Sequence, residues 1–135
     1  MSIGTYGIGR EVNVAFDEAE RRIRKTLADE GFGVLTEIDV QATLHKKLDV
    51  EIPRYTILGA CNPHFAHQAI LAEPDIGLLL PCNVVVREAG PGRTVIEALD
   101  PVVQLELTRN PAIEPLAAEV RQRLTRAVEL AAGAA

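Results

Sequence analysis

The stretch Ile76-Gly-Leu-Leu-Leu-Pro-Cys-Asn-Val-Val-Val-Arg87, followed by Ala89-Gly-Pro-Gly92 and Arg93-Thr-Val-Ile-Glu-Ala-Leu99, decides the fold. Two aliphatic, β-branched runs around a glycine–proline turn read as an antiparallel hairpin. Pro81 has no amide hydrogen to give to a ladder. The first run is therefore expected to bulge or to lie at a sheet edge there, re-aiming Cys82.

Working upstream, Tyr55 to Ala60 is short and apolar and reads as a buried strand. Asn62-Pro63 then supplies a helix start, with Asn as N-cap and Pro in the first turn, where its missing N–H costs nothing. The helix should run to about Ala72 and stop at Pro74. Asp39 is a good N-cap for a short helix with Val40, Leu44 and Leu48 on one stripe, which should pack at a sheet edge or over a pocket. Before it, Phe32 to Ile38 reads as a strand. Phe16, Ala19, Ile23 and Leu27 form a helical stripe ended by Gly31, and Tyr6 to Val14 alternates weakly, as a half-buried strand would. Downstream of Asp100-Pro101 an irregular stretch with Asn110-Pro111 and Pro115 is expected. A last helix then carries Leu116, Val120, Leu124 and Val128, widened by Ala127 and Ala131, and the Ala-Ala-Gly-Ala-Ala tail should fray. Helices recur without strict alternation and a hairpin sits late. This order predicts an α/β (α+β) two-layer sandwich with a mainly antiparallel sheet, in one domain spanning residues 1–135.

The 135 residues suffice to bury a single core without a staple. Apolar residues make up 47% and aromatics only 4%, so that core is aliphatic. A formal charge of -5 argues against nucleic acid. The one dense basic run, Arg21-Arg-Ile-Arg-Lys25, falls on the first helix among Asp17, Glu18, Glu20, Asp29 and Glu30 and reads as a solvated face. Met1 to Tyr6 lacks the features of a secretory signal, and no apolar run approaches a membrane span. A cytoplasmic protein is expected, in which two cysteines are free, metal-bound or catalytic rather than bridged.

Both cysteines stand in Cys-Asn contexts, Cys61-Asn62 and Cys82-Asn83, at the ends of apolar runs. If their strands are neighbours and both side chains point the same way, the two thiols make one site. Cys61 precedes a helix N-cap, where unpaired amides and the helix dipole favour a thiolate. Asn62 and Asn83 offer amides beside the thiols, and Asp100 a carboxylate at a strand end, although capping and turn duties account for each as well. Cys61, His64, His67 and Cys82 are weak candidates for a metal, since the spacing suits a single tetrahedral site poorly. Both thiols can equally be small core residues. The residues name no cofactor. The glycines Gly4, Gly7 and Gly9 match no phosphate loop, and no Gly-x-Ser-x-Gly elbow is present.

Leu58-Gly-Ala-Cys-Asn-Pro63 and Gly77-Leu-Leu-Leu-Pro-Cys-Asn83 closely resemble the prokaryotic domain-of-unknown-function family 302. Phe32-Gly-Val-Leu-Thr-Glu-Ile-Asp39, Val40-Gln-Ala-Thr-Leu44 and Ala98-Leu-Asp-Pro101 match it too, so the resemblance covers nearly the whole chain. It implies a two-layer α/β domain similar to the TATA-box-binding-protein-like architecture, with helices on one face of the sheet, and a homodimer. It implies no activity, and a fold analogy does not import DNA binding. The residues it marks are Cys61, Asn62, Pro63, Pro81, Cys82 and Asn83, with His64 and His67 outside the signature. Three functions stay open. One is a dimer whose Cys61/Cys82 pocket binds a small ligand, a sulfur species or a metal. The others are a thiol-dependent enzyme with Cys61 as nucleophile, and a structural or interaction module.

Overall fold

The computed structural model describes residues 5–133. Its elements are β1 (Gly7–Val12), α1 (Phe16–Asp29), β2 (Gly33–Asp39), α2 (Val40–Leu48), β3 (Tyr55–Cys61), α3 (Pro63–Ala72), β4 (Cys82–Gly90), β5 (Arg93–Leu99), α4 (Pro101–Leu105) and α5 (Glu114–Ala131). The strands form one sheet in the order β1-β5-β4-β3-β2, with every pairing antiparallel. Helices α1 and α5 cover one face. The expected two-layer α/β sandwich is thus the fold.

Side chains alternate across a strand, so the register says which residues face the helices. Leu58 pairs with Val84, Val84 with Ala98 and Ala98 with Ile8, all buried. On the α1 side Phe16, Ala19, Ile23 and Leu27 are the four buried residues, as their spacing predicts. From α5 come Val120, Leu124, Ala127, Val128 and Ala131. Each large aliphatic side chain sealed here contributes roughly 1.5–3 kcal/mol. A second, smaller cluster of Ala69, Ile76, Leu105, Ile113 and Ala117 sits where α3, α4 and the start of α5 meet.

Two expectations are corrected. The run from Ile76 does not begin as strand: Pro74–Leu79 is a 3-10 turn, and β4 starts only at Cys82. A residue without an N–H cannot open a ladder at Pro81, so pairing begins just after it. Nor is β4 an edge strand; it lies between β3 and β5, and its irregularity falls at Glu88/Gly90. The stretch after Asp100 is not irregular throughout, because Pro101–Leu105 is helical, followed by a 3-10 turn at Glu106–Thr108. Gln104 Nε2 ties that helix to the Leu79 carbonyl. Of the tail, Ala134 and Ala135 lie outside the described residues, as do Met1 to Gly4 at the other end.

Candidate functional site

Asn62 and Pro63 open α3 as their types dictate, the Asn62 side chain accepting from the Phe65 amide at 3.5 Å. This fixes Cys61 as the last residue of β3 and turns Phe65, Ala66 and Ala69 toward α5. From the other side Leu80-Pro81-Cys82 leads into β4. Between them lies a partly open apolar cleft with a volume of about 40 Å³, lined by Phe32, Ala60, Cys61, Asn62, Phe65, Ala66, Ala69, Leu80, Pro81, Cys82, Pro101, Leu105, Leu116 and Val120. Phe32, Ala60, Cys82 and Val120 belong to the main core, whereas Ala69 and Leu105 belong to the smaller cluster. The cleft is the seam at which the two cores fail to close. Arg123 borders it, with its guanidinium 5.4 Å from the Phe65 ring centre and donating to the Glu30 carbonyl at 3.2 Å.

The two thiols do not make a dithiol site. Their strands are neighbours, but Cys82 pairs with Ala60, one residue short of Cys61. A one-residue offset reverses the face, so Cys82 points with Ala60 toward the helices while Cys61 takes the alternate side. Both cysteines are free, and they are not near each other. Cys61 is half-buried and Cys82 buried. Burial, with the charge of Cys61 as a lesser cause, pushes the Cys82 thiol up to about 11. It stays neutral and inert at physiological pH.

The other candidates disperse. His64 and His67 are exposed on α3, where His64 Nε2 shares a hydrogen bond with Gln68 at 2.9 Å. Among the described residues no group of three or more His, Cys, Asp or Glu side chains is placed to hold a metal ion. Asn83 is exposed on β4, opposite Gly59. Asp100 accepts from the Val102 amide at 2.9 Å and pairs with Arg121 at 2.9 Å, capping α4 and fastening it to α5. None of these four lines the cleft. Sequence reasoning missed the far wall, Pro101, Leu105, Leu116 and Val120. Asp100-Pro101 carries the same cap-then-proline signal as Asn62-Pro63 and would have placed α4. A wider groove of about 560 Å³ runs between α4 and α5 past Arg109 and Ile113, and neither Cys-Asn segment reaches it.

Fold and cleft together define a small two-layer α/β domain with a partly open apolar cleft at the junction of its two cores. The chain belongs to the family described as Domain of unknown function DUF302, whose model matches residues 8–131. A solved structure of an uncharacterised conserved DUF302 protein from Bacillus stearothermophilus is similar, with a TM-score of 0.85 and 28% identity, over 93% of this chain and 98% of that one. No curated protein matches the chain.

Proposed function

We propose that the chain is a small-ligand-binding domain, homodimeric and cytoplasmic, that takes the apolar end of a small molecule into the cleft beside Cys61. One observation carries this reading. Cys61-Asn62 and Pro81-Cys82, distant in sequence, converge on an apolar cleft that both cores leave open. A volume of about 40 Å³ exceeds the ~10–15 Å³ that one water needs but holds only a few heavy atoms, so the rest of a ligand would extend past Cys61 and Asn62 toward solvent. The two free thiols fit a reducing compartment. No helix among the described residues is long and apolar enough to cross a membrane. A two-cysteine enzyme finds less support, because Cys82 is buried, neutral and away from Cys61.

The test is a thermal-shift screen of short aliphatic and aromatic compounds against the chain and its Ala69→Leu variant, which fills the cleft from α3. Apolar compounds should raise Tm in the parent and not in the variant. A panel that moves neither protein, or moves both equally, rejects the cleft as the site.

A further inference from the structure

The cleft is apolar, but its mouth carries two hydrogen-bond donors with capacity to spare. Asn62, in the lining, is one of the few polar side chains the fold buries, with 9% of its surface exposed. Its oxygen is used, accepting from the Phe65 amide to cap α3. Its Nδ2 group has no acceptor among the described residues, and it is not sealed off. Buried polar groups are hydrogen-bonded, so an acceptor from outside the fold, water or a ligand atom, belongs there. Gly31 shows where. A β-carbon on that glycine would stand 3.1 Å from Asn62 Nδ2 and 4.0 Å from Arg123 Nη1. The cap of α3 and a side chain of α5 thus turn donors toward one point, left open by the missing side chain. Phe32, the next residue, lines the cleft, so that point lies at its rim.

Arg123 brings a charge that its own partners meet only in part. Its Nε lies 3.4 Å from Glu119 Oε1 and its Nη1 3.2 Å from the neutral Glu30 carbonyl. Both are longer than the ~2.7–2.9 Å of a charge-assisted bond. The Glu30 carboxylate is engaged elsewhere, taking Arg126 at 2.9 and 3.1 Å. Arg123 Nη2 has no acceptor among the described residues, and the side chain is half-buried, so it can be reached from the mouth. The start of the ten-residue α3 adds positive partial charge on the same side. Glu119 is the acid that a bound anion shares Arg123 with.

We propose that the ligand of the cleft is a small monocarboxylate, its apolar end among Phe65, Ala69 and Leu105 and its carboxylate held by Asn62 Nδ2 and the Arg123 guanidinium over Gly31. A carboxylate is acceptor-only and presents two oxygens, one for each donor. An ammonium group would meet donors with donors. A neutral amide would satisfy Asn62 and leave the charge of Arg123 unanswered. The proposal rests on the small-ligand reading above and adds the chemical class of the ligand and the residues that recognise its head group.

Backbone chemical-shift titration at neutral pH tests it, with butyrate, butyramide and butylamine, which share a chain length and differ in head group. Butyrate is then ionised and butylamine protonated. The proteins are the parent chain, Asn62→Asp and Arg123→Gln. Aspartate still caps a helix but replaces the Nδ2 donor with an acceptor, so Asn62→Asp separates recognition from folding. Butyrate should shift the amides of Phe32, Phe65 and Leu116 in the parent and bind about tenfold more tightly than butyramide, while butylamine leaves them unmoved. Each variant should abolish that preference with circular dichroism unchanged. Should Arg123→Gln fail to fold, Asn62→Asp decides alone. Equal binding of the three compounds at the lining leaves the cleft as a site and overturns the carboxylate. No shift at the lining with any of them overturns both readings. A preference for butyrate that survives Asn62→Asp puts the anion elsewhere and overturns the assignment.

Discussion

Cys82 is surrounded by Ala60 on the paired strand and by the apolar side chains of the cleft, and the cost of charging it there has a direct thermodynamic reading. Its thiol moves from an ordinary value of 9.0 up to about 11, burial being the main cause. A folded value above the unfolded one leaves stability intact below pH 9. As pH rises from 9 toward 11 the unfolded chain ionises and the folded chain does not, so stability falls across that window and levels above it. The loss is on the order of 2–3 kcal/mol. Urea unfolding from pH 8 to 11.5 should show this slope and Cys82→Ala should flatten it; an equal slope in both proteins would refute the assignment. Glu18 shows the opposite sign. Side-chain hydrogen bonds from Arg21 and then Arg22 hold its carboxyl down to about 2. Its contribution is present above the ordinary value of 4.5 and disappears as pH falls through about 2. Lying at the surface, it should shrink with salt as well. The gap in Tm between the parent and Glu18→Gln should close on acidification and narrow in high salt, and a gap constant with pH would contradict the pairing.

At the scale of elements, chain reversal after α1 shows how a local pattern becomes structure. Gly31 holds φ of 88°, its amide reaches Ala28 O at 3.0 Å and the Phe32 amide reaches Leu27 O at 2.9 Å. This is a Schellman termination, and its apolar pair, Leu27 with Phe32, enters the main core. Gly31→Ala should cost about 1–2 kcal/mol in urea unfolding, because a β-carbon disfavours left-handed backbone. It would also stand 3.1 Å from Asn62 Nδ2, crowding the residue that caps α3. Gly31→Asn should cost less, and equal losses would point to crowding rather than backbone conformation. Signals of this local kind made α1, α2, α3 and α5 legible from caps and stripes alone. What stayed hidden depends on register. Whether Cys61 and Cys82 share a side turns on one residue of offset between β3 and β4, and spacing along a chain carries no information about offset between chains. The start of β4 was missed because an apolar run such as Ile76 to Leu80 suits a 3-10 turn packed on Leu105 and Ile113 as well as it suits a strand.

On the scale of the whole molecule, the two buried clusters are unequal, and their inequality predicts how the protein opens. The main core joins the sheet, α1 and α5 through eighteen buried residues, whereas the second has five. Around the smaller cluster Leu71, Leu78 and Leu107 are 71%, 87% and 74% exposed, so its helices are held by little apolar area. Segments with few buried contacts open at lower free energy than the global transition. Hydrogen exchange should therefore be faster in residues 63–80 and 101–113 than in β4 and β5. Ile113→Ala should quicken exchange in those two segments while leaving the central strands protected. Leu124→Ala, which empties the main core, should cost about 2–5 kcal/mol and lower protection in both regions. Because the cleft lies on the seam, the same opening would widen the route past Leu80 and Leu105 to the buried Cys82. Labelling of Cys82 by a thiol reagent in native buffer should accordingly accelerate in Ile113→Ala before any loss of the sheet is detectable. If instead Cys82 labels only at the rate at which β4 and β5 exchange, the two clusters unfold as one unit and the seam is not a line of weakness.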